Sequence, residues 1–599
     1  MTCGVALLLH AFTCGYMLCF SATYGIMPPD EAKVLRIWSP GVCAGVCGLL
    51  ALLHAHGVAM IVYRQSRRVA PSPKPRRPST LALYAQLFAH DGAFGIHGRQ
   101  YEVRLVVKQA LQLPLQAYRA YRLSALLVHP GYSVAFASTL AINCIALPGW
   151  MWRGHWQRSR RWGASIVDVV ASFLLGVGLP LLIVGNAIVA FFFSSQRDAL
   201  IYDHKWLNTF ILIGRYVAIT SAADLMVYTI LNVAFWTALQ TLAMASSRSL
   251  MVSVPTEMTT HWLRLPYTIY SVGLGILVLG ASISSIVARA TCDAGCELQT
   301  YPWFSTDCHC IMYTLTCNQT TNVSSSDNIH ALLATNFTDV FDLTIRECRL
   351  PHGLNASLLD TFTQLYSLRL WRTSTVEWDA PTLPSSVCAV YLQDLPLQAV
   401  PRLLWPPTTG LQYIFLRNAS LSMNQTLPLW TTLTQLDVSG AQLGAIPDHI
   451  WSLPITTLSW NSNALTALPL QLFNVPTLGS VYLFNNSITE LPPMLATTFW
   501  PKGLQSIYLN GNPLTTLPST LPFEWLNSSR LVIRDTLFCT RLAGRPPTNT
   551  LEVNIVANME AICGHDCGVG CLGRLVGNTE CDNQCNTPAC AFDGGDCDM

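Results

Sequence analysis

Six cysteines crowd the end of this 599-residue chain, spaced C-x3-C-x9-C-x3-C-N-x3-C-x2-D-G-G-D-C from Cys567 to Cys597. A segment of about thirty residues buries too little apolar surface to fold unaided, so crosslinks, a metal or both must hold it. The ending Asp593-Gly-Gly-Asp596-Cys597 sets two carboxylates on a glycine-bent backbone. Hard cations with oxygen ligands, calcium above all, suit such a donor set.

Other chemistries lack their residues. The sequence contains no phosphate-binding glycine loop, no kinase set, no nucleophile elbow and no H-E-x-x-H pair, which argues against an enzyme. A formal net charge of +2 leaves no nucleic-acid footprint outside the membrane loops.

That small net charge hides two different halves. Residues 1–289 carry 23 Lys and Arg against 9 Asp and Glu, whereas residues 290–599 carry 12 against 24. The first half holds apolar runs at 3–27, 41–63, 131–152, 165–194, 207–245 and 267–288, near the length a bilayer demands. The second half holds every N-x-S/T triplet, at Asn318, Asn322, Asn336, Asn355, Asn418, Asn424, Asn485 and Asn527, and 15 of the 21 cysteines. Glycosylation sites and disulfide-forming cysteines belong to an oxidising compartment, so this half is expected outside the cell or in the secretory lumen.

The basic clusters Arg64, Arg67, Arg68, Lys74, Arg76, Arg77 and Arg153, Arg158, Arg160, Arg161 are expected on the cytoplasmic side. Both then bracket run 131–152 from one side, which predicts that this run dips in without crossing and that five spans remain. A six-span arrangement would put the first cluster on the wrong side. Residues 64–130 read as a cytoplasmic segment containing a basic helix, with Val103, Val106, Val107, Ala110, Leu111 and Leu115 at helical spacing. Such a helix packs on the bundle or grips acidic headgroups. Asp168 and Asp224 inside the runs raise a transporter or channel as the alternative function, although Asp224 could instead lie at a helix break or pair with Arg215.

Residues 340–525 repeat. The template L-x-x-L-x-L-x-x-N-x-L starts at Val340, Leu365, Val387, Leu411, Leu433, Ile455, Leu478 and Leu504, in steps of 22 to 26 residues. That period is the leucine-rich repeat, an α/β solenoid with one strand per repeat on its concave face. Asn463, Asn486 and Asn512 take the asparagine position and Cys348 takes it in the first repeat, while Ala419 and Ala441 predict irregular loops. Arg369, Trp371, Tyr391, Phe415, Arg417, Tyr482, Phe484 and Tyr508 should point outward from the strands. Aromatics and arginine favour binding, so these are the candidate contacts for an extracellular protein or glycan. Asn418 and Asn485 precede the asparagine position, which places their sugars at one edge of the solenoid.

Cys292, Cys296, Cys308, Cys310 and Cys317 read as a stapled N-terminal cap, and Cys539 with Cys563 as a C-terminal one. Fifteen cysteines is an odd number, and Cys348 is the candidate for a buried thiol.

The terminal pattern closely resembles the Lin-12/Notch repeat, whose six cysteines match Cys567, Cys571, Cys581, Cys585, Cys590 and Cys597 and whose polar positions match Asn586, Asp593 and Asp596. The resemblance implies the pairs Cys567 with Cys590, Cys571 with Cys585 and Cys581 with Cys597. It also implies a structural calcium held by Asn578, Asp593, Asp596 and a main-chain oxygen at Glu580. In the first half, Arg99 to Lys108, Gln116 to Arg122 and the run opening at Ile166 resemble a family of oomycete multi-span surface proteins that join such a region to leucine-rich repeats.

The expected domains are a multi-span region at 1–289, a Cys-rich cap at 290–339, repeats at 340–530, a second cap at 531–563 and the Lin-12/Notch-like module at 564–599. The fold class is thus an α-helical polytopic membrane domain, an extracellular α/β solenoid and a small disulfide-rich calcium module. The expected function is recognition or adhesion at the plasma or secretory membrane. With no kinase, any signal must pass through the bundle or a membrane co-receptor.

Overall fold

The computed structural model describes residues 2–67, 100–152, 157–193, 203–245 and 261–317, then 326–564 with short gaps and scattered positions of 565–597. Two compact units emerge. One comprises Met1–Ala190, Thr209–Thr291 and Thr300–Cys308; the other comprises Phe191–Asn208, Cys292–Gln299 and His309–Met599. The second unit therefore takes in a piece of chain, Phe191–Asn208, that the sequence reading assigned wholly to the multi-span region.

The first unit is helical, with α1 (Thr2–Ile26), α2 (Pro29–Val34), α3 (Pro40–Arg67), α4 (Tyr101–Leu126), α5 (Pro130–Trp152), α6 (Gln157–Phe173), α7 (Leu179–Phe192), α8 (His204–Val217), α9 (Ala222–Ala245) and α10 (His261–Val287), save that the last two residues of α7 and His204–Asn208 of α8 belong to the second unit. A π-turn, Leu174–Gly178, joins α6 to α7. Among the described residues, six stretches are long and apolar enough to cross a membrane: Cys3–Ile26, Pro40–Tyr63, Pro130–Trp152, Gly163–Phe192, Ala222–Ala243 and Leu263–Val287.

Run 131–152, expected to dip in without crossing, forms the continuous 23-residue helix α5, one of the six stretches above. It lies antiparallel to α10 along its length, with Trp152 donating to Thr268, Ser271 to the Cys144 carbonyl and Ser133 facing Ser282. Run 207–245 is divided at Asp224, one of the two alternatives the sequence offered for this residue: the chain breaks between Val217 and Ala222, and Asp224 accepts from the Thr220 backbone N–H. Its ionic partner is Arg122 rather than Arg215, whose guanidinium donates to the Val34 carbonyl.

Helix α4 runs through this bundle rather than beside it. Glu102 forms a two-point ion pair with Arg264 at the start of α10, Tyr270 midway along α10 donates to the Ala110 carbonyl, and Ser124 accepts from Tyr301 N–H beyond the end of α10. Helices α4 and α10 are therefore parallel and co-extensive. Against α9 the order reverses, with Arg104 on Thr241 and Arg122 on Asp224.

The second unit is an eleven-stranded sheet, β1 to β11 in simple sequence order. From β2 (His309–Thr316) through β3 (Asp342–Arg346), β4 (Ser367–Trp371), β5 (Ala389–Gln393), β6 (Tyr413–Arg417), β7 (Gln435–Ser439), β8 (Thr457–Ser459), β9 (Ser480–Tyr482), β10 (Ser506–Tyr508) and β11 (Leu531–Val532) every pairing is parallel. β1 (Cys296–Thr300) flanks β2. The template leucines, such as Leu368, Leu370, Leu436, Leu458 and Leu504, fill the interior. Pro401, Pro447 and Pro469 each open a short 3-10 helix on the return path, where a missing N–H costs nothing.

The asparagine ladder satisfies backbone that the turns strip of partners. Asn486 accepts from Leu465 N–H and donates to the carbonyls of Trp460 and Phe484, and Asn463 and Asn512 repeat the arrangement. One residue earlier in each repeat, the chain turns through the left-handed region at Glu347, Arg372, Asp394, Asn418, Gly440, Ser462, Asn485 and Gly511. At Ala441 the turn stays regular because the next repeat's Asn463 accepts its N–H. Cys348, expected as a thiol, is bonded to Cys317, while the Cys388 Sγ donates to the Ser386 carbonyl. Further disulfides join Cys296 to Cys310 and Cys539 to Cys563.

Candidate functional site: the concave sheet and the terminal module

Strand register brings the outward residues into rows. Arg369, Tyr391, Phe415, Asp437 and Ser459 follow one another across β4 to β8, and Tyr482 and Tyr508 continue the row. A second row runs Arg346, Trp371, Gln393, Arg417, Ser439.

These side chains interact with each other before anything else. Tyr391 and Phe415 stack face to face at 4.2 Å, and Tyr482 stacks on Tyr508 at 4.8 Å with Phe484 edge-on to both. Arg369 lies over the Tyr391 ring at 4.5 Å and Arg346 over Trp371 at 4.2 Å. Each arginine gains about 0.5 to 2 kcal/mol from such a ring as water is excluded. The guanidinium groups are also tied to buried carboxylates, Arg369 to Asp342 at 3.2 Å and Arg417 to Asp437 at 2.9 Å.

The face thus has two parts. Its N-terminal half is a charged and aromatic lattice around Arg369, Tyr391, Phe415 and Arg417. Its C-terminal half is the cluster Tyr482, Phe484, Tyr508.

Four residues at this site were absent from the sequence reading: Asp342, Arg346, His204 and Asn208. Asp342 and Arg346 fall in the first repeat, whose strand positions carry the same outward pattern and could have been read. His204 and Asn208 could not, since they lie more than a hundred residues upstream. Asn208 donates to Asp342 at 2.8 Å, and the His204 ring meets Tyr391 edge-on at 6.0 Å. Burial holds the His204 imidazole well below its ordinary value, and Arg369, Arg417 and Arg346 push it the same way.

The sequons fall at structurally distinct places. Asn355 caps a short helix by accepting from Leu358 N–H, Asn418 donates to Asp394, and Asn527 is exposed at the end of a helical turn. Asn336 ends the helix Ser326–Asn336. Asn318, Asn322 and Asn424 lie outside the described residues.

In the terminal module Cys571 is bonded to Cys585 and Cys581 to Cys597. Cys590 is buried against the first of these pairs. Asp593 is fully buried with a left-handed backbone, φ 65°, and its carboxylate accepts from Asp582 N–H. A buried carboxylate oxygen is a donor of the kind a hard cation such as calcium takes. Cys567, Asn578, Glu580 and Asp596 lie outside the described residues.

Residues 564–598 match the family model of the LNR domain of Notch. No curated protein matches the chain. Similar solved structures are leucine-rich repeat proteins, among them one from Bacteroides eggerthii at 17% identity, covering 37% of this chain and 44% of that one with a TM-score of 0.27. InlP of Listeria monocytogenes gives 18% identity over 34% of this chain and 62% of its own, TM-score 0.25. TLR13, solved in complex with ssRNA13, gives 16% identity over 35% of this chain, TM-score 0.27, and the present chain spans 33% of its length.

Proposed function

We propose that this protein is a membrane-anchored recognition or adhesion receptor whose concave sheet binds an extracellular protein or glycan, with a calcium-stabilised LNR module at the end of the solenoid. One observation carries the membrane part. Helix α4 is inverted relative to a water-soluble helix: Gln109, Gln112 and Gln116 are 0%, 1% and 2% exposed, while Val107 and Leu111 are 54% and 64% exposed. Polar side chains turned inward and apolar ones outward suit a lipid solvent rather than water.

On this reading α4 is itself a crossing, which hydropathy hides. The bundle then crosses seven times, by α1, α3, α4, α5, the α6–α7 pair, α9 and α10. Seven crossings with the N-terminus inside keep both basic clusters cytoplasmic and deliver the solenoid outside, so the conflict behind a five-span count disappears. The charges of α4 are met sideways, Lys108 by Asp168 and Arg122 by Asp224, which favours a packing role for them. The cavity beside Gln112, Gln116, Ser172 and Asn232 holds about 10 Å³, room for a single water.

Asp593 and Asp596, with Asn578 and the Glu580 carbonyl, would hold the calcium. The ion would fix the module's loops where no core can.

Capture of partners by the soluble ectodomain, residues 290–599, with and without Tyr482→Ala and Tyr508→Ala tests the recognition role. Partner capture unaffected by concave substitutions would overturn it. For the topology, a glycosylation acceptor inserted between Leu126 and Pro130 should be modified, whereas a five-span protein would leave it bare.

A further inference from the structure

The concave face is not vacant. The first turn of α8, His204–Asn208, belongs to the solenoid unit and lies on its strands. Four contacts define the seating: His204 against the Tyr391 ring, Asn208 Nδ2 on the Asp342 carboxylate at 2.8 Å and on the Met312 Sδ at 3.7 Å, and Lys205 to Glu297 at 3.3 Å. Asn208 and Asp342 are both buried, and Asp342 receives Arg369 and Asn208 on the same oxygen, Oδ2. Asp342 is 0% exposed, so removal of Asn208 would strip one of the two donors from a buried carboxylate oxygen.

We propose that the His204–Asn208 turn is a built-in occupant of the N-terminal half of the concave face, which an external partner can reach only by displacing it. This rests on the reading of the concave sheet as the recognition surface. These contacts reach β1, β2, β3 and β5, so Tyr482 and Tyr508, which are half-buried, lie beyond the turn, with Phe484 buried edge-on against them. A displacing partner must reproduce what the turn supplies, a ring edge for Tyr391 and an amide or other neutral donor for Asp342. A polypeptide carrying a ring and an amide four residues apart on one helical face meets both needs. The soluble piece 290–599 lacks the turn, and should therefore bind such a partner more tightly than the full chain.

The contact can be tested without knowing the partner, on detergent-solubilised full-length protein. Diethyl pyrocarbonate acylation of His204, read by mass spectrometry, should be at least about tenfold faster in Asn208→Ala than in the parent, as expected when a turn opens locally. In parallel, maleimide labelling of Tyr391→Cys should be slow with the native turn, fast when His204→Ala and Asn208→Ala are added, and unlike that of Tyr508→Cys, which should be fast in both. His204 acylated equally fast in parent and Asn208→Ala, or the Tyr391→Cys thiol labelled as fast as the Tyr508→Cys thiol with the turn intact, would overturn the proposal. Either result concerns the contact alone, so it is separable from failure of the ectodomain to capture any partner.

Discussion

Arg122 on α4 and Asp224 at the first turn of α9 meet at 2.7 Å, with Tyr118 donating to the same carboxylate and Thr220 completing its shell. The pair joins two helices more than a hundred residues apart in sequence at one end of the bundle. Removing one partner leaves a buried charge, at a cost of about 3 to 5 kcal/mol, whereas replacing both by apolar groups of similar size costs far less. Asp224→Ala should therefore lower the melting temperature of the solubilised protein more than the double change Arg122→Met with Asp224→Leu. A double variant no more stable than Asp224→Ala would show that the pair is not what locks α4.

The ladder yields a second prediction. Asn486 serves three backbone groups from two turns, and Asn486→Ala should destabilise the solenoid by about 2 to 4 kcal/mol, because the stranded N–H and carbonyls stay buried. Urea unfolding of the ectodomain would read the loss.

Its neighbour behaves oppositely. Asn485 sits at φ 51°, where most side chains cost about 1 to 2 kcal/mol and glycine costs nothing. Asn485→Gln and Asn485→Gly both delete the sequon, so any difference between them is backbone strain. The glycine variant should be the more stable in the same unfolding assay, and equality would mean the turn relaxes.

Acid should loosen the His204 turn. His204 faces Arg346, Arg369 and Arg417, with Asp342 and Asp437 already paired to arginines and Lys205 beside Glu297. A base whose seated value is depressed stays neutral when docked, so docking is at full strength above about pH 6.5, the value of a free histidine, and weakens as pH falls below it. Proteolysis near residue 203 should speed up between about pH 6.5 and 5 in the parent, and a parent profile identical to that of His204→Phe would contradict the assignment.

Calcium gives the last prediction. Asp593→Ala should abolish the calcium heat signal of the ectodomain and scramble disulfide formation in the LNR module during oxidative refolding. Parent protein refolding equally well in chelator, with no heat signal at millimolar calcium, would contradict it.

The solenoid was legible because its period is imposed by packing: each leucine must return to the interior every 22 to 26 residues, and the strand register follows from that return. The helix at 101–126 was legible too, but the inward turn of its polar face was not. Residues 101–126 score as polar because the glutamines and arginines that make them polar are turned inward, and composition averages over both faces. Their apolar stripe was visible at Val107 and Leu111, but its direction depends on Asp168 and Asp224, far along the chain. The same distance hid His204 and Asn208, since no local pattern says that a loop will return to a sheet.

Helix α4 also bears on how the chain is made. A segment carrying Glu102, Arg104, Lys108, Arg119 and Arg122 cannot settle in lipid by itself, because the groups that neutralise it are synthesised later: Asp168, then Asp224, then Arg264. On the seven-crossing reading, α4 waits at the insertion machinery until α6 and α9 emerge, and the bilayer accepts it only as part of an assembled group. A ribosome stalled before residue 168 would leave α4 on the cytoplasmic side, and the ectodomain's outward export would hinge on the chain correcting that orientation before α10 is complete.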